Sequence, residues 1–251
     1  MPALVAVAHG SRDPRSAATI SALVERVRLR RPGLDVRVSF LGLSTPRLSD
    51  ALAAVAADGH REAVVVPLLL GDAFHARVDV PDMVGRAARR HPRLRLRVAD
   101  VLGADPRLVD VALRRLGDAV DRADERELGV VLAATGSSRP AANDHVTGIA
   151  STLAAEHGWR GAVAAFATAA SPTVPEAVEL LRARGAGRIA VASWFLAPGL
   201  LPSRVARAAL AADPAVRLAA PLGADDAVAD VVLDRYQGAL ADAAARLAHV
   251  S

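Results

Sequence analysis

The sequence contains no cysteine and no lysine among its 251 residues. Without cysteine, the chain forms no disulfide and offers no thiolate nucleophile, iron–sulfur ligand or zinc–thiolate site. Without lysine, all 31 basic residues are arginine, which excludes a P-loop lysine, a Schiff-base lysine and a GxxxxGK nucleotide cradle. These absences leave no sign of a phosphate-driven enzyme.

Aromatic residues and long apolar runs are also scarce. Phe, Trp and Tyr make up 3% of the chain, which argues against a base-stacking surface, and the formal net charge is only +4. No apolar run approaches the roughly 18 to 20 residues of a membrane span. The apolar opening at residues 3–8 has no basic flank before it and indicates a first strand rather than a secretory leader. We therefore expect a cytoplasmic protein without nucleic-acid or membrane partners.

An internal repeat organises the sequence. Residues 5–11 (VAVAHGS) align with residues 131–137 (VLAATGS), 126 positions later, and the same spacing pairs Phe40 with Phe166 and Pro46 with Pro172. Near the end of each half, LGAD at 102–105 matches LGAD at 222–225. We predict two homologous lobes, an amino-terminal lobe over 1–124 and a carboxy-terminal lobe over 125–251, with the seam in the charged stretch 121–127.

Within each half, apolar β-branched runs alternate with stretches of helical period. Strands are predicted at 4–8, 35–40, 63–69, 94–99, 129–134, 162–167, 189–196 and 216–219. In the first half, helices are predicted at 14–30, 47–58, 81–90 and 106–122. Continuous apolar strands are typical of a parallel sheet covered by helices on both faces. The sequence thus predicts an α/β fold of two tandem doubly wound lobes with a cleft between them, each with a four-stranded parallel sheet.

Two histidines follow strands that would be neighbours in strand order 2-1-3-4. His9 ends the first strand, and His75 lies a few residues beyond the third. Ligands of such sheets bind beyond the carboxyl ends of the strands, at the point where neighbouring crossovers leave in opposite directions. Two neutral imidazoles suit Fe, Co, Ni, Cu or Zn ions, and they leave most of the coordination sphere open, as a site that passes its metal on requires.

Simpler interpretations exist for each of these residues. A single histidine after a strand is more often a loop residue or a hydrogen-bonded cap than a ligand. The second lobe keeps the Gly-Ser turn but has Thr135 and Leu201 where the first has His9 and His75, so we expect only the first lobe to bind metal. The other histidines are predicted to be solvated surface residues: His60, His91, His145, His157 and His249.

The turn after His9 offers a candidate anion site. Gly10, Ser11 and Arg12 lead into a predicted helix start, whose free N–H groups and dipole favour a carboxylate, although a plain strand-to-helix turn explains the same residues. Arg12 and Arg77 flank the two histidines and could bind carboxylates bidentately. With 31 arginines in the chain, this proximity could equally arise by chance.

Two separated motifs and the repeat together resemble one family. HGSRDPR at 9–15, PLLL at 67–70 and HARVDVP at 75–81 closely resemble the class II tetrapyrrole chelatases, the sirohydrochlorin cobaltochelatases and ferrochelatases of the CbiX and SirB kind. The resemblance spans nearly the whole chain. It implies insertion of a divalent metal, Co²⁺ or Fe²⁺ and also Ni²⁺, into sirohydrochlorin without ATP, for siroheme or cobalamin. His9 and His75 would hold the metal and help take up two pyrrole protons, and arginines would receive the substrate carboxylates.

The sequence departs from this family at one position. The family has an acidic residue two positions after the phenylalanine that ends the second strand, whereas this chain reads FLGLSTP at 40–46 and has Gly42 there. Asp72, Asp79 or Asp82 could replace the missing carboxylate. A non-catalytic tetrapyrrole or metal carrier is therefore the alternative to a chelatase, as either a monomer or a homodimer. A generic nucleotide-binding enzyme has little support, because no GxGxxG follows a strand.

Overall fold

The structure is a computed structural model that describes residues 1–71, 78–103, 105–120 and 126–248. It is an α/β fold in which strands and helices alternate along the whole described chain. The first half contains β1 (Ala3–Ala8), α1 (Pro14–Arg30), β2 (Val36–Phe40), α2 (Leu48–Ala57), β3 (Glu62–Pro67), α3 (Val80–Arg90), β4 (Arg95–Val98) and α4 (Pro106–Gly117). The second half contains β5 (Leu128–Ala134), α5 (Pro140–Glu156), β6 (Gly161–Phe166), α6 (Val174–Ala183), β7 (Arg188–Ser193), α7 (Leu200–Ala212), β8 (Arg217–Leu218) and α8 (Asp226–Ala248).

The strands form two four-stranded parallel sheets, ordered β2-β1-β3-β4 and β6-β5-β7-β8. The predicted α/β class with two four-stranded parallel sheets is therefore confirmed, and the order 2-1-3-4 assumed for the site occurs in both sheets. The first predicted helix, 14–30, matches α1, whereas β4 and β8 are shorter than the predicted strands. Both are edge strands with partly exposed residues. They therefore receive less support from burial and from neighbouring strands than the central strands do.

Contacts group the chain into two compact units, residues 1–105 with 224–251 and residues 106–223. Each unit has one sheet. Compared with the predicted halves 1–124 and 125–251, the first unit contains α8 instead of α4, and the second contains α4 instead of α8. The last helix of the first half, α4, packs on β7, and the last helix of the second half, α8, packs on β3. The predicted seam after residue 124 falls in 121–125, outside the described residues, so that boundary stays a prediction.

In the first unit, β1 is buried along its whole length and lies between β2 and β3. The face that carries Val5 and Val65 packs against α2 and α3 through a cluster that includes Leu52 and Val84. The helices α1 and α8 pack against each other, α1 also contacts β2, and α8 also contacts β3. The hydroxyl of the buried Tyr236 on α8 donates a hydrogen bond to the Pro2 carbonyl at 2.7 Å, which ties α8 to the start of the chain.

The second unit repeats this arrangement around β5, which is also buried along its length. Its cluster of Val131, Val191 and Leu181 packs β5 and β7 against α6 and α7. The helix α5 packs against β5 and β6, and none of the described helices has both the length and the apolarity to cross a membrane.

Backbone geometry repeats with the sequence. Gly10 and Gly136 have φ of 90° and 86°, and the Thr45–Pro46 and Ser171–Pro172 peptide bonds are both cis. A Cβ on Gly10 would lie 1.8 Å from the Gly42 carbonyl oxygen, and one on Gly136 would lie 2.0 Å from that of Thr168. Both turns therefore require glycine, for its left-handed φ and for the close backbone approach.

We predict that Gly10→Ala and Gly136→Ala each lower the free energy of unfolding by more than about 2 kcal/mol, because the methyl group would overlap a backbone carbonyl. Gly148 on α5 is the matched control, since a Cβ there meets no atom within 4 Å. Gly148→Ala should raise stability by up to about 1 kcal/mol through helix propensity. Urea denaturation followed by circular dichroism measures all three, and equal stability of the Gly10 and Gly148 variants would contradict the close approach.

Candidate functional site

His9 lies directly after β1, at the carboxyl edge of the first sheet, and is exposed. Its carbonyl accepts a hydrogen bond from the Gly42 N–H at 3.2 Å, and the Ala8 carbonyl accepts one from the Leu41 N–H at 2.9 Å. The ends of β1 and β2 are thus joined beyond the regular sheet. This pairing fixes the backbone that carries the His9 imidazole.

One side chain closes the turn that follows His9. The Ser44 hydroxyl donates to the Ser11 carbonyl at 3.0 Å and accepts from the Ser11 N–H at 3.2 Å. The second unit has Ala170 at the position of Ser44, and there Asn143 from α5 makes both bonds, to the Ser137 N–H at 2.9 Å and to its carbonyl at 2.7 Å. Both units satisfy the same two backbone groups, with side chains from different elements.

The predicted helix start beyond this turn is present as the beginning of α1. Its N-cap residue is Asp13, whose carboxylate already bonds Arg15. Asp13 accepts a hydrogen bond from the Arg15 N–H at 3.0 Å and forms an ion pair with the Arg15 guanidinium at 2.6 Å. Hydrogen bonds from the Arg15 side chain, followed by the bond from its N–H, hold the pKa of the Asp13 carboxyl below its ordinary value. Asp13 therefore serves the start of α1.

A cavity of about 330 Å³ opens beside His9. One wall is the segment after β2, and the other is the beginning of α3. The lining residues are His9, Leu41, Gly42, Leu43, Asp79, Asp82, Met83 and Arg86. Asp79, directly before α3, and residues 82, 83 and 86 on α3 share one helix face through their spacing of three and four positions. Arg86 and Asp82 are 3.8 Å apart and both are two-thirds exposed.

Gly42, the residue at the family's acidic position, faces open space. A Cβ built there meets no atom within 4 Å, and its backbone is outside the left-handed region. The corresponding residue of the second unit is Thr168, whose hydroxyl donates to the Thr135 carbonyl at 3.0 Å. The position therefore accommodates a side chain, and in the first unit its absence enlarges the cavity next to His9.

Part of the predicted site can be located in the described structure. Gly10 and Ser11 form the turn after His9, whereas Arg12 is exposed and is not among the residues that line the cavity. His75 and Arg77, together with Asp72, lie outside the described residues. Among the described residues no three His, Asp or Glu side chains are grouped so that they could hold a metal ion.

The cavity also includes residues that the sequence analysis did not select. Leu41, Leu43, Met83 and Arg86 line it. The spacing of Asp79, Asp82 and Arg86 in a helix that follows β3 is the signal that could have identified the α3 wall. Of the other histidines, His60 differs from the prediction of a solvated side chain, because its Nε2 lies 2.9 Å from Asp35. His145 and His157 are exposed, and His249 lies outside the described residues.

A second cavity, of about 150 Å³, lies in the second unit at the amino ends of β7 and β8. Its described lining includes three arginines, Arg182, Arg188 and Arg217, and no histidine. Arg182 donates to two backbone carbonyls and pairs with Asp213. This cavity lies at the opposite sheet edge from the one where ligands of doubly wound folds bind, and none of its described lining side chains is suited to a divalent metal.

We predict that Ser44→Ala lowers the free energy of unfolding by about 1–2 kcal/mol, because the Ser11 N–H and carbonyl lose their partner. Ser49→Ala is the matched control, since its exposed hydroxyl bonds only the neighbouring Asp50 side chain. Thermal and urea denaturation of both variants tests this expectation. Equal stabilities would mean that water satisfies the turn as well as Ser44 does.

The chain is similar to known proteins along both halves. Residues 3–119 and 129–239 each match the family model described as CbiX. A sirohydrochlorin ferrochelatase of Bacillus subtilis is 29% identical over 239 residues, covering 94% of this chain and 90% of that protein. A sirohydrochlorin ferrochelatase of Priestia megaterium is 29% identical over 82% of this chain and 77% of its own length.

Solved structures of chelatases are also similar to this chain over nearly its whole length. SirB from Bacillus subtilis with Fe³⁺ superposes with a TM-score of 0.82 at 28% identity, over 98% of both chains. SirB from Bacillus subtilis subspecies spizizenii in complex with cobalt gives 0.77 at 26% identity, over 94% of both chains. The family model covers most of both halves, and the relatives span most of the chain. The chain belongs to the CbiX family.

Proposed function

We propose that this protein inserts a divalent metal, Fe²⁺ or Co²⁺, into sirohydrochlorin. The observation that carries the proposal is the position of His9, at the carboxyl end of β1 on the wall of a cavity, in a chain whose relatives are sirohydrochlorin chelatases. A neutral imidazole is a good ligand for either metal. His75, which lies outside the described residues, is proposed as the second imidazole.

The reaction exchanges one dication for two protons. The metal ion enters the macrocycle, two pyrrole N–H bonds break, and the net charge of the complex does not change. The step can therefore run downhill without a nucleotide, which agrees with the absence of lysine-dependent phosphate sites in the sequence. Two protein ligands leave most of the coordination sphere open, so the metal can acquire pyrrole nitrogens before it leaves the imidazoles. The released imidazoles are then available to take up protons.

The substrate carries carboxylates around its rim, and the cavity offers one described cation for them. Arg86 lines the cavity on α3, exposed and only loosely paired with Asp82. Gly10, Ser11, Arg12 and Arg77 remain proposed carboxylate contacts from the sequence. A monomer or homodimer in the cytoplasm, without nucleic-acid or membrane partners, likewise remains a prediction.

His9→Ala should lower the rate of metal insertion by roughly 100-fold or more, because it removes one of two proposed metal ligands, and loss of a residue that only supports a ligand already costs about 10- to 100-fold. The purified protein is incubated anaerobically with metal-free sirohydrochlorin and Fe²⁺ or Co²⁺, and the absorption spectrum reports insertion. His145→Ala removes an exposed imidazole from α5 and should keep the wild-type rate. A His9→Ala rate equal to that of His145→Ala, or a His9→Ala/His75→Ala double variant as fast as wild type, would refute the assignment.

Gly42 favours the second candidate function, a carrier that binds the tetrapyrrole or metal without turnover. The family's acidic residue is missing there, and the described cavity has only Asp79 and Asp82 as carboxylates. A chelatase would complete many turnovers per chain, whereas a carrier would bind one equivalent and stop. Multiple turnover by the wild-type protein therefore decides between the two functions.

We predict that Gly42→Glu folds with wild-type stability, because its side chain enters open space, and that it raises the insertion rate about tenfold or more by adding a carboxylate beside His9. Gly42→Gln is the control that supplies the same volume without the charge. A rate gain shared by both variants would assign the effect to shape. No gain in either would show that Asp79 or Asp82 already provides the carboxylate or that none is needed.

A further inference from the structure

Leu43 is an apolar side chain in an unusual place. It is 58% exposed, lines the cavity next to His9, and has a left-handed backbone with φ of 61°. A single exposed leucine is ordinary on a protein surface, but left-handed positions favour glycine or asparagine over larger side chains. Leucine therefore carries a backbone cost here, at a position where its side chain lines the cavity beside His9.

The second unit separates the backbone requirement from the side chain. Ala169 occupies the equivalent position with φ of 57°, so the left-handed conformation belongs to the turn itself. The side chain of Ala169 is only a methyl group, and the residue directly after β5 is Thr135 rather than a histidine. The larger apolar side chain occurs in the lobe that carries His9, which links it to the ligand of that site rather than to the fold.

The surroundings of Leu43 indicate the kind of ligand surface it meets. Leu41 and Met83 line the same cavity, and Gly42 leaves the space beside them empty. The cavity is thus apolar on parts of both walls, with His9, two carboxylates and Arg86 as its polar groups. A tetrapyrrole has a matching character, because its conjugated faces are apolar and its charges lie on the rim.

We propose that Leu43 is a substrate-positioning residue, which packs against a face of the tetrapyrrole on the side from which His9 delivers the metal. This inference rests on the proposed function and extends it to the macrocycle rather than the metal. It places the binding energy of the metal-free substrate partly in an apolar contact. That contact is separate from the metal ligands and from the carboxylate contacts.

Leu43→Asn is the most informative variant, since asparagine tolerates the left-handed backbone better than leucine and removes the apolar surface. We expect its melting temperature to equal or exceed that of the wild type. Its Kd for metal-free sirohydrochlorin, measured by fluorescence without any metal, should rise about tenfold, as expected for loss of a partly buried leucine contact. KM should rise by a similar factor while kcat changes much less. Co²⁺ binding by the protein alone should not change.

Two further variants make the result decisive. Leu43→Met keeps an apolar side chain of similar length and should retain most of the affinity. Leu210→Asn removes another exposed leucine, on α7 and outside the cavity, and should leave Kd unchanged. An unchanged Kd in Leu43→Asn, or equal losses in the Asn and Met variants, would overturn the proposal.

The same measurements separate this inference from the proposed function. A wild-type protein that binds metal-free sirohydrochlorin and inserts metal, together with a Leu43→Asn variant of equal affinity, would refute only the role of Leu43. A wild-type protein that neither binds sirohydrochlorin nor inserts metal would refute the proposed function itself.

Discussion

The geometry of the site depends on the contact between two backbone segments, the turn after β1 and the segment after β2. Gly10 lies so close to the Gly42 carbonyl that no side chain fits between them, and the His9 carbonyl accepts the Gly42 N–H. The contact sets His9, Gly42 and Leu43 along one edge of the cavity. It also explains why the turn sequence is restricted, since both φ and the approach distance demand glycine. The proposed metal site is therefore carried by a backbone that admits little variation.

The second unit shows which parts of this backbone geometry occur without the proposed metal-binding histidines. The second unit preserves the glycine turn, the left-handed residue and the cis-proline, yet it has Thr135 and Thr168 in place of His9 and Gly42. Even the hydrogen bonds that close the turn persist, with Asn143 replacing the role of Ser44. The scaffold is therefore shared, whereas His9 and His75, the proposed metal ligands, occur in one copy.

Sequence reasoning predicted the elements that follow local rules. The strands of the two parallel sheets followed from the apolar runs, and the location of His9 at a carboxyl edge followed from its position directly after the first strand. The cavity wall formed by Leu43 could not be predicted, because its exposure depends on a left-handed turn held by a distant segment. Met83 and Arg86 required knowing which face of α3 turns toward His9. The repeat alignment could not show that Asn143 makes the bonds in the second unit that Ser44 makes in the first, because the two residues occupy non-equivalent positions.

The exchange of terminal helices has a consequence for how the protein can be divided. A fragment cut at the repeat boundary would lack α8, the helix that covers β3, and would expose the apolar face of α4, with Leu108, Val111 and Leu116 deprived of the sheet they pack on. Either fragment alone would then be prone to aggregate or to pair with a second fragment that supplies the missing helix. We therefore expect the two copies to depend on each other for folding, although only the first carries His9 and His75.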